Sequence, residues 1–599
     1  MASNSRIGQG PTSIPVRAGA FKERLLVAAI DFGTTYSGYA FQMRNHFESD
    51  PLQKIIANNW SSSSAQISHK TPSCILFDKD QQFHSFGYDA EQKYNDLAAD
   101  GEHWSWYFFK RFKMLLYKDE ALTRETILQD DKSMDMPAMT VFTASIKYLK
   151  DHMIKTCEAA KTVVRPEDIH WVITVPAIWT DSAKQFMREA AINAEIHTDK
   201  ISLSLEPEAA SLFCRYLPVE RVAGVNQTEI RSFSIGDKYM ILDCGGGTVD
   251  MTVHEIQEDS TLRELAKANG GEFGGTKVDE KFIELLNDVF GPDVMEVIQQ
   301  RFREDYLDVM QSFEIKKRRV SQDLNGTETF QIPVSFTDTY KELNNIAIEN
   351  RTSIPDRLKD KITFNKDKMR VDAEVVKDLF TEVCDQISGI AKEFYQSVSS
   401  HRVEKILMVG GFSESLMLQE KVRKTFPRVR VIIPEEAGLA VLKGAVLFGH
   451  NPKMITARVC KYSYGICAFK HFEPGIDPPE KRVVQGDIVL CKDYFSKHAT
   501  VGQEYKTEEK VYTQEYVPSD ASGSRMEVWV YTSPRRHPLY VDEEGSRKIG
   551  EISIPLHDAT GKDNPVVVQF EFGNTELKVK VRETKTGQEK EADFDLLRM

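Results

Sequence analysis

Along the chain, apolar residues gather into short unbroken runs that end at glycine-rich turns. Leu25-Leu-Val-Ala-Ala-Ile30 stops at Asp31 and continues Phe-Gly33-Thr34-Thr35-Tyr36-Ser-Gly38. Met240-Ile-Leu242 stops at Asp243 and continues Cys-Gly245-Gly246-Gly247-Thr248-Val-Asp250. Each run has the composition of a buried strand, and each turn leads into a second strand-like stretch, Tyr39-Ala-Phe-Gln42 or Met251-Thr-Val-His-Glu-Ile256. The pattern therefore predicts one hairpin twice. A third run, Lys405-Ile-Leu-Met-Val409, enters Gly410-Gly411-Phe412-Ser413 and then a predicted helix from Leu416 to Thr425. Ser335 to Pro355 reads as a loop. Beyond Asn451-Pro452 the runs give way to alternation in Arg525–Tyr531, Glu551–Pro555, Val566–Phe572 and Glu576–Val581, which predicts β-strands, with Phe572-Gly-Asn-Thr575 as a tight turn.

The duplicated turns have the chemistry of a phosphate grip. Glycine lets the backbone approach an anion and turn its N–H groups inward. Threonine hydroxyls add donors. An aspartate would repel phosphate, so Asp31 and Asp243 are better suited to hold a hydrated magnesium ion, which takes carboxylate and water oxygens. A lone Asp-x-Gly-Thr is most often an ordinary hairpin turn; two copies behind buried strands are better explained as a clamp closing on one nucleotide-phosphate tail. No Gly-x-x-x-x-Gly-Lys-Ser/Thr loop is present, nor a Gly-x-Gly-x-x-Gly that opens a helix after a strand. The hairpin pair instead resembles the actin, sugar-kinase and heat-shock ATPase superfamily.

Between the hairpins lie Trp171-Val-Ile-Thr-Val-Pro176-Ala-Ile-Trp179 and Ser204-Leu-Glu206-Pro207-Glu208-Ala-Ala210. By itself, Glu206-Pro207 is a good helix start. Together with Ile30-Asp-Phe-Gly-Thr-Thr-Tyr-Ser-Gly-Tyr-Ala40, His84-Ser-Phe-Gly-Tyr88 and Phe112-Lys-Met114, these stretches resemble the 70-kilodalton heat-shock chaperones, most closely the divergent heat shock 70 kDa protein 12 family. The resemblance runs from Leu25 to the C-terminus and is firmest up to Gly449. It implies an α/β fold: a two-lobed actin-like ATPase of duplicated ribonuclease-H-like lobes, followed by a small C-terminal β-sandwich-like domain. The expected division is a disordered tail over 1–20, lobe I over 21–229, lobe II over 230–452 and a β-rich domain over 453–599.

The resemblance also implies roles. Gly33, Thr34, Thr35 and Tyr36 match the first phosphate hairpin, and Gly245, Gly246, Gly247 and Thr248 the second. Asp31 and Asp243 would organise Mg2+, with K+ as a further candidate cation, through water. Glu206 would position metal water and attacking water, and Thr248 and Asp250 would orient the nucleophile. Glu314, Lys317, Arg318 and Ser321 match residues that hold adenosine, and their spacing places all four on one helix face. Gly274, Gly275, Gly410, Gly411 and Phe412 match turns facing the nucleotide; Phe412 and Glu414 stand where the chaperones have serine and arginine. Among Lys110, Arg111 and Lys113, Arg111 is the best positional match to the catalytic lysine, with Lys113 close behind; a basic face of an amphipathic helix is the plain alternative. Pro176 and Lys184 match a proline switch and a basic relay residue, which is arginine in the chaperones.

Composition narrows the function. The 599 residues exceed one core, and a formal net charge of −13 argues against nucleic acid as main partner. No stretch is apolar for long enough to predict a membrane span, and the first residues have no apolar segment of a signal peptide. Eight cysteines without Cys-x-x-Cys spacing predict a reduced, cytoplasmic setting; Lys316–Arg319 also resembles a nuclear-localisation run. Three departures from the chaperones stand out: Met454–Tyr462 in place of the leucine-rich linker, no helical lid after the strands, and an end, Asp595-Leu-Leu-Arg-Met599, without the acidic cochaperone tetrapeptide. The expectation is a monomeric ATPase that binds ATP/ADP and gates an unidentified protein client through the β-domain. A nucleotide-responsive scaffold with little turnover is the alternative, and a metabolite kinase on the same fold is a third reading.

Overall fold

The computed structural model describes residues 24–61, 67–119, 122–161, 164–216, 233–351, 354–507, 513–517, 525–556, 565–572, 575–584, 587, 589–592, 596 and 597. The tail expected over 1–20, and residues 573 and 574 of the expected tight turn, lie outside them.

Both apolar runs become central strands. Leu26–Phe32 is buried along its whole length, as a strand without polar alternation must be. It pairs antiparallel with Tyr36–Met43 and parallel with Ile169–Val175. Outward from these lie antiparallel Ile56–Ala57 and parallel Ile201–Leu205. The second hairpin repeats the plan. Lys238–Cys244 pairs antiparallel with Val249–Ile256 and parallel with Lys405–Val409, followed outward by antiparallel Leu262–Gly271 and parallel Arg430–Ile432. One sheet plan has therefore been built twice, as the duplicated hairpins predict.

A shared core joins the sheets. Val27, Ala29 and Val172 from the first pack with Tyr239, Ile241 and Leu407 from the second. Helices Glu206–Tyr216 and Ala440–His450 cross within this layer, and a Cβ on Gly444 would lie 1.7 Å from the Ala209 carbonyl oxygen. Only glycine permits that backbone-to-backbone approach, and the helix carrying Glu206 is positioned by it.

The expected loop over Ser335–Pro355 is corrected: Val334–Asn344 is a helix. Phe336, Thr339 and Tyr340 are buried at helical spacing, and this short face packs into the second lobe's core.

Ile455–Val459, which stands in place of a leucine-rich linker, joins the second sheet parallel to Leu262–Gly271, and Glu504–Lys506 adds to it antiparallel. The other described strands after Val459 form a five-stranded and a four-stranded sheet. Inward residues of the first (Ile466, Val528, Val530, Ile552) meet those of the second (Val568, Phe570, Val579, Val581) in one core, which makes a β-sandwich. Among the described residues no α-helix follows His450, and no helix is long and apolar enough to cross a membrane.

Candidate functional site

The two hairpin turns face each other. A Cβ on Gly246 would fall 2.3 Å from Thr35 Oγ1, and one on Gly247 would fall 2.6 Å from Thr34 Oγ1. Glycine at both positions is what lets the turns approach. The second turn is braced from behind: the amides of Gly274, Gly275 and Thr276 donate to the carbonyls of Gly247, Gly245 and Gly246 at 3.0, 3.1 and 2.9 Å. Gly274 thus supports the loop from the rear, and its Cβ would lie 2.2 Å from the Gly246 oxygen.

Between the turns opens a cavity of about 560 Å³. Its wall includes Asp31, Gly33, Thr34, Thr35 and Tyr36 of the first hairpin and Asp243, Gly245, Gly246, Gly247 and Thr248 of the second. Glu206, Gly275, Glu314, Lys317, Arg318, Gly410, Gly411 and Phe412 complete the set brought together from the sequence reading. Asp250 sits one strand behind, directly across the ladder from Asp243.

Position on the sheet explains the electrostatics. Asp31 and Asp243 end central strands, so they are buried at 4% and 5% exposure. Burial pushes the Asp31 carboxyl up, but Lys70, at 2.7 Å, together with Lys113 and Thr174, holds it below the usual carboxylate range. Asp243 has no such partner: burial, then the charges of Glu206, Asp250 and Asp31, push it well up. Burial, reinforced by Glu206, raises Asp250 to about 8. Glu206 is also raised by burial, despite Lys113 Nζ at 2.7 Å. Asp243 Oδ2 and Asp250 Oδ1 are buried without a hydrogen-bond partner. The orphaned, buried carboxyl oxygens are the donor set a hydrated divalent cation fits, and its charge would take the place of the protons that burial favours. The residues therefore suit Mg2+.

The three candidate cations separate in space. Arg111 pairs with Asp279 at 2.6 Å and Lys110 with Asp131 at 3.1 Å, whereas Lys113 pairs with Glu206 on the cavity wall. Of the three, Lys113 is the one on this wall, and Arg111 is not. The segment is not an amphipathic helix: strand Tyr107–Lys110 ends at Arg111, whose left-handed φ of 57° turns the chain so that Lys113, 5% exposed, points inward. Lys70 and His69 were not anticipated, because they belong to a polar stretch without periodicity.

Along another wall, helix Arg303–Lys317 presents Glu314 and Lys317, with Arg318 capping its C-terminus, and it stops there. Val320 turns into the core, and Ser321 lies beyond the helix and does not line the cavity, so the four-residue face is corrected to three. Arg318 lies 5.2 Å over the Tyr36 ring, and Lys317 joins Arg111 on Asp279 at 2.6 Å, a bridge between the lobes. Gly410 is required twice over: its φ is 84°, and a Cβ there would meet Asp243 Oδ1 at 2.4 Å. Helix Leu416–Thr425 follows as predicted.

The site also connects to the β-sandwich. Asp250 accepts from the Ile178 amide, while Lys461 donates to the carbonyls of Ile178 and Trp179, the residues just after Pro176. Lys184 pairs with Asp181 at 3.4 Å, and Asp181 accepts from the Tyr464 hydroxyl at 2.9 Å. Arg188 makes a two-pronged pair with Glu576. Arg458 grips Glu208, two residues after Glu206, at 2.6 and 2.8 Å.

Comparison with known proteins agrees with this geometry. A profile of the family described as Hsp70 protein matches residues 27–471. Heat shock 70 kDa protein 12A of Homo sapiens is 32% identical over 96% of this chain and 92% of its own length. Heat shock 70 kDa protein 12B of Homo sapiens is 31% identical over 97% and 92%, and the Mus musculus 12A protein is 32% identical over 96% and 92%.

Proposed function

The chain belongs to the Hsp70 family, and from that premise we propose that this Hsp70-like ATP-binding protein hydrolyses ATP to ADP slowly in the cavity between its lobes and so gates binding by its β-sandwich. The observation that carries the reading is the Lys113–Glu206 pair set at the meeting point of two glycine-threonine turns. In this reading Thr34, Thr35 and the backbone of Gly245 to Gly247 bind the phosphate tail. Tyr36, Gly275, Lys317, Gly410, Gly411 and Phe412 enclose the nucleoside with Glu314 and Arg318. Asp243 would hold Mg2+ through water, with Asp31, paired to Lys70, adding its charge from the first hairpin; the ion when bound would neutralise phosphate charge. Lys113 is held by Glu206 against the reacting end, and Thr248 with Asp250 orients the attacking water. Positioning and electrostatics do the rest. A cytoplasmic setting is supported by eight cysteines, none in a disulfide, and the client is a protein of unidentified sequence.

A scaffold with little turnover is the second reading. The observation favouring it is that Ile455–Val459 is built into the second sheet and buries Arg458 against Glu208, which ties the sandwich to the ATPase lobes. Single-turnover hydrolysis of Mg-ATP by the full chain separates the two. Turnover that falls about 100-fold in Thr248→Ala, with ATP still bound, supports the ATPase; tight ATP binding with no Thr248-dependent turnover makes it the scaffold.

A further inference from the structure

Among the described residues, Lys70 is the one ammonium group on the cavity wall that the family reading does not employ, and the fold makes specific room for it. The chain just after it is stitched to the first phosphate hairpin: Thr71 and Pro72 pair with Ser37 and Tyr36. Ser73 donates from its hydroxyl to the Gly33 carbonyl at 2.7 Å and from its amide to Thr35 at 2.8 Å. Lys70 is therefore anchored by the same turn that would grip phosphate. Its stem then crosses Gly38, the cross-strand neighbour of Asp31. A Cβ on Gly38 would lie 3.1 Å from Lys70 Cγ and 2.9 Å from the His69 carbonyl oxygen, so the bare glycine is the groove the stem runs through. The ammonium ends 2.7 Å from Asp31 Oδ2, with side chains only 18% and 6% exposed. The other oxygen, Oδ1, accepts from Thr174 Oγ1 at 2.9 Å.

The two hairpin aspartates are consequently unlike. Asp31 has both oxygens occupied by protein donors, whereas Asp243 keeps a buried oxygen without a partner. Two aspartates in equivalent strand positions would otherwise make the same demand for counter-charge. An ammonium group carries the charge of a monovalent metal ion and approaches a carboxylate to a similar distance. It also repels a second cation from the same oxygen, and in a buried site that repulsion is poorly screened.

Resting on the ATP-binding reading, we propose that Lys70 is a resident monovalent cation of the nucleotide site. It neutralises Asp31 and adds positive charge beside the phosphate tail, so that nucleotide binding needs no K+ at the first hairpin and the external divalent cation is drawn to the Asp243 side.

The test is ADP binding by the full chain with Mg2+ present, by calorimetry, in potassium, sodium or tetramethylammonium chloride at equal ionic strength. Tetramethylammonium is too bulky to enter a buried carboxylate site. The wild-type dissociation constant should stay within about twofold across the three salts. Lys70→Met, which keeps the stem, should bind about tenfold or more weakly in tetramethylammonium and recover most of that loss in potassium. Wild-type binding that collapses without potassium overturns the inference, as does a Lys70→Met chain that binds like wild type in every salt. The wild-type salt series decides even if Lys70→Met fails to fold. A wild-type chain that binds no ADP in any salt overturns the ATP-binding reading itself and the inference with it.

Discussion

Arg458 and Glu208 fasten the segment after the second lobe to the helix that begins with Glu206, and the cost of parting them can be worked out. Their side chains are 11% and 2% exposed and meet through two charge-assisted bonds. Arg458→Met keeps most of the stem volume but strands the Glu208 carboxylate in the interior. Breaking a buried pair from one side costs about 3–5 kcal/mol. The destabilisation by Arg458→Met should therefore be about 3–5 kcal/mol at pH 7. Arg458→Met with Glu208→Gln removes both charges and should recover more than half of the loss. Urea unfolding followed by far-ultraviolet circular dichroism at pH 7 gives the numbers. A loss under about 1 kcal/mol at pH 7, or a double variant no more stable than Arg458→Met, would refute the reasoning.

Three further outcomes follow from single residues. Lys113→Ala should cut single-turnover hydrolysis at saturating ATP about 100-fold or more, while Arg111→Ala should cost far less in rate and act mainly on nucleotide affinity, because its partner is the lobe-bridging Asp279. His450 is stacked on Phe47 at 4.5 Å, and burial, then Arg44, lowers its pKa to about 3. Its neutral form therefore favours the fold above about pH 6.5, an advantage lost as pH falls toward 3, and His450→Phe should flatten the stability–pH slope between pH 4 and 6 by about one proton, roughly 1.4 kcal/mol per pH unit. Gly410→Ala should weaken ADP binding at least about tenfold and also lower stability, since the new methyl group meets Asp243 Oδ1 at 2.4 Å and the Cys244 carbonyl oxygen at 2.5 Å.

What could be read in the sequence were features written in local pattern. The duplicated hairpins announced themselves because a run such as Leu26–Ile30 has no polar alternation and can only be a covered central strand, and because glycine has few other reasons to cluster after it. Glu206 as a helix start and the helix at Leu416–Thr425 were legible for the same reason. Features set by one backbone angle or a tertiary groove were not. The φ of 57° at Arg111 decides which cation enters the cavity, and no periodicity encodes it. Ser321 fell off its expected helix face because Val320 is drawn into the core three residues after Lys317. Lys70 reaches Asp31 only across Gly38, a relation between residues far apart in the chain that spacing cannot reveal. The helix at Val334–Asn344 was missed because its buried face is only Phe336, Thr339 and Tyr340.

The account's central claim is that two copies of one hairpin close on a single nucleotide. The most direct measurement is calorimetric titration of ADP into the full chain with Mg2+, beside the variant Asp243→Asn. The account predicts one ADP per chain with a dissociation constant of about 1 μM or tighter, weakened at least about tenfold by Asp243→Asn. No binding up to about 1 mM ADP, or equal binding by wild type and Asp243→Asn, would contradict it.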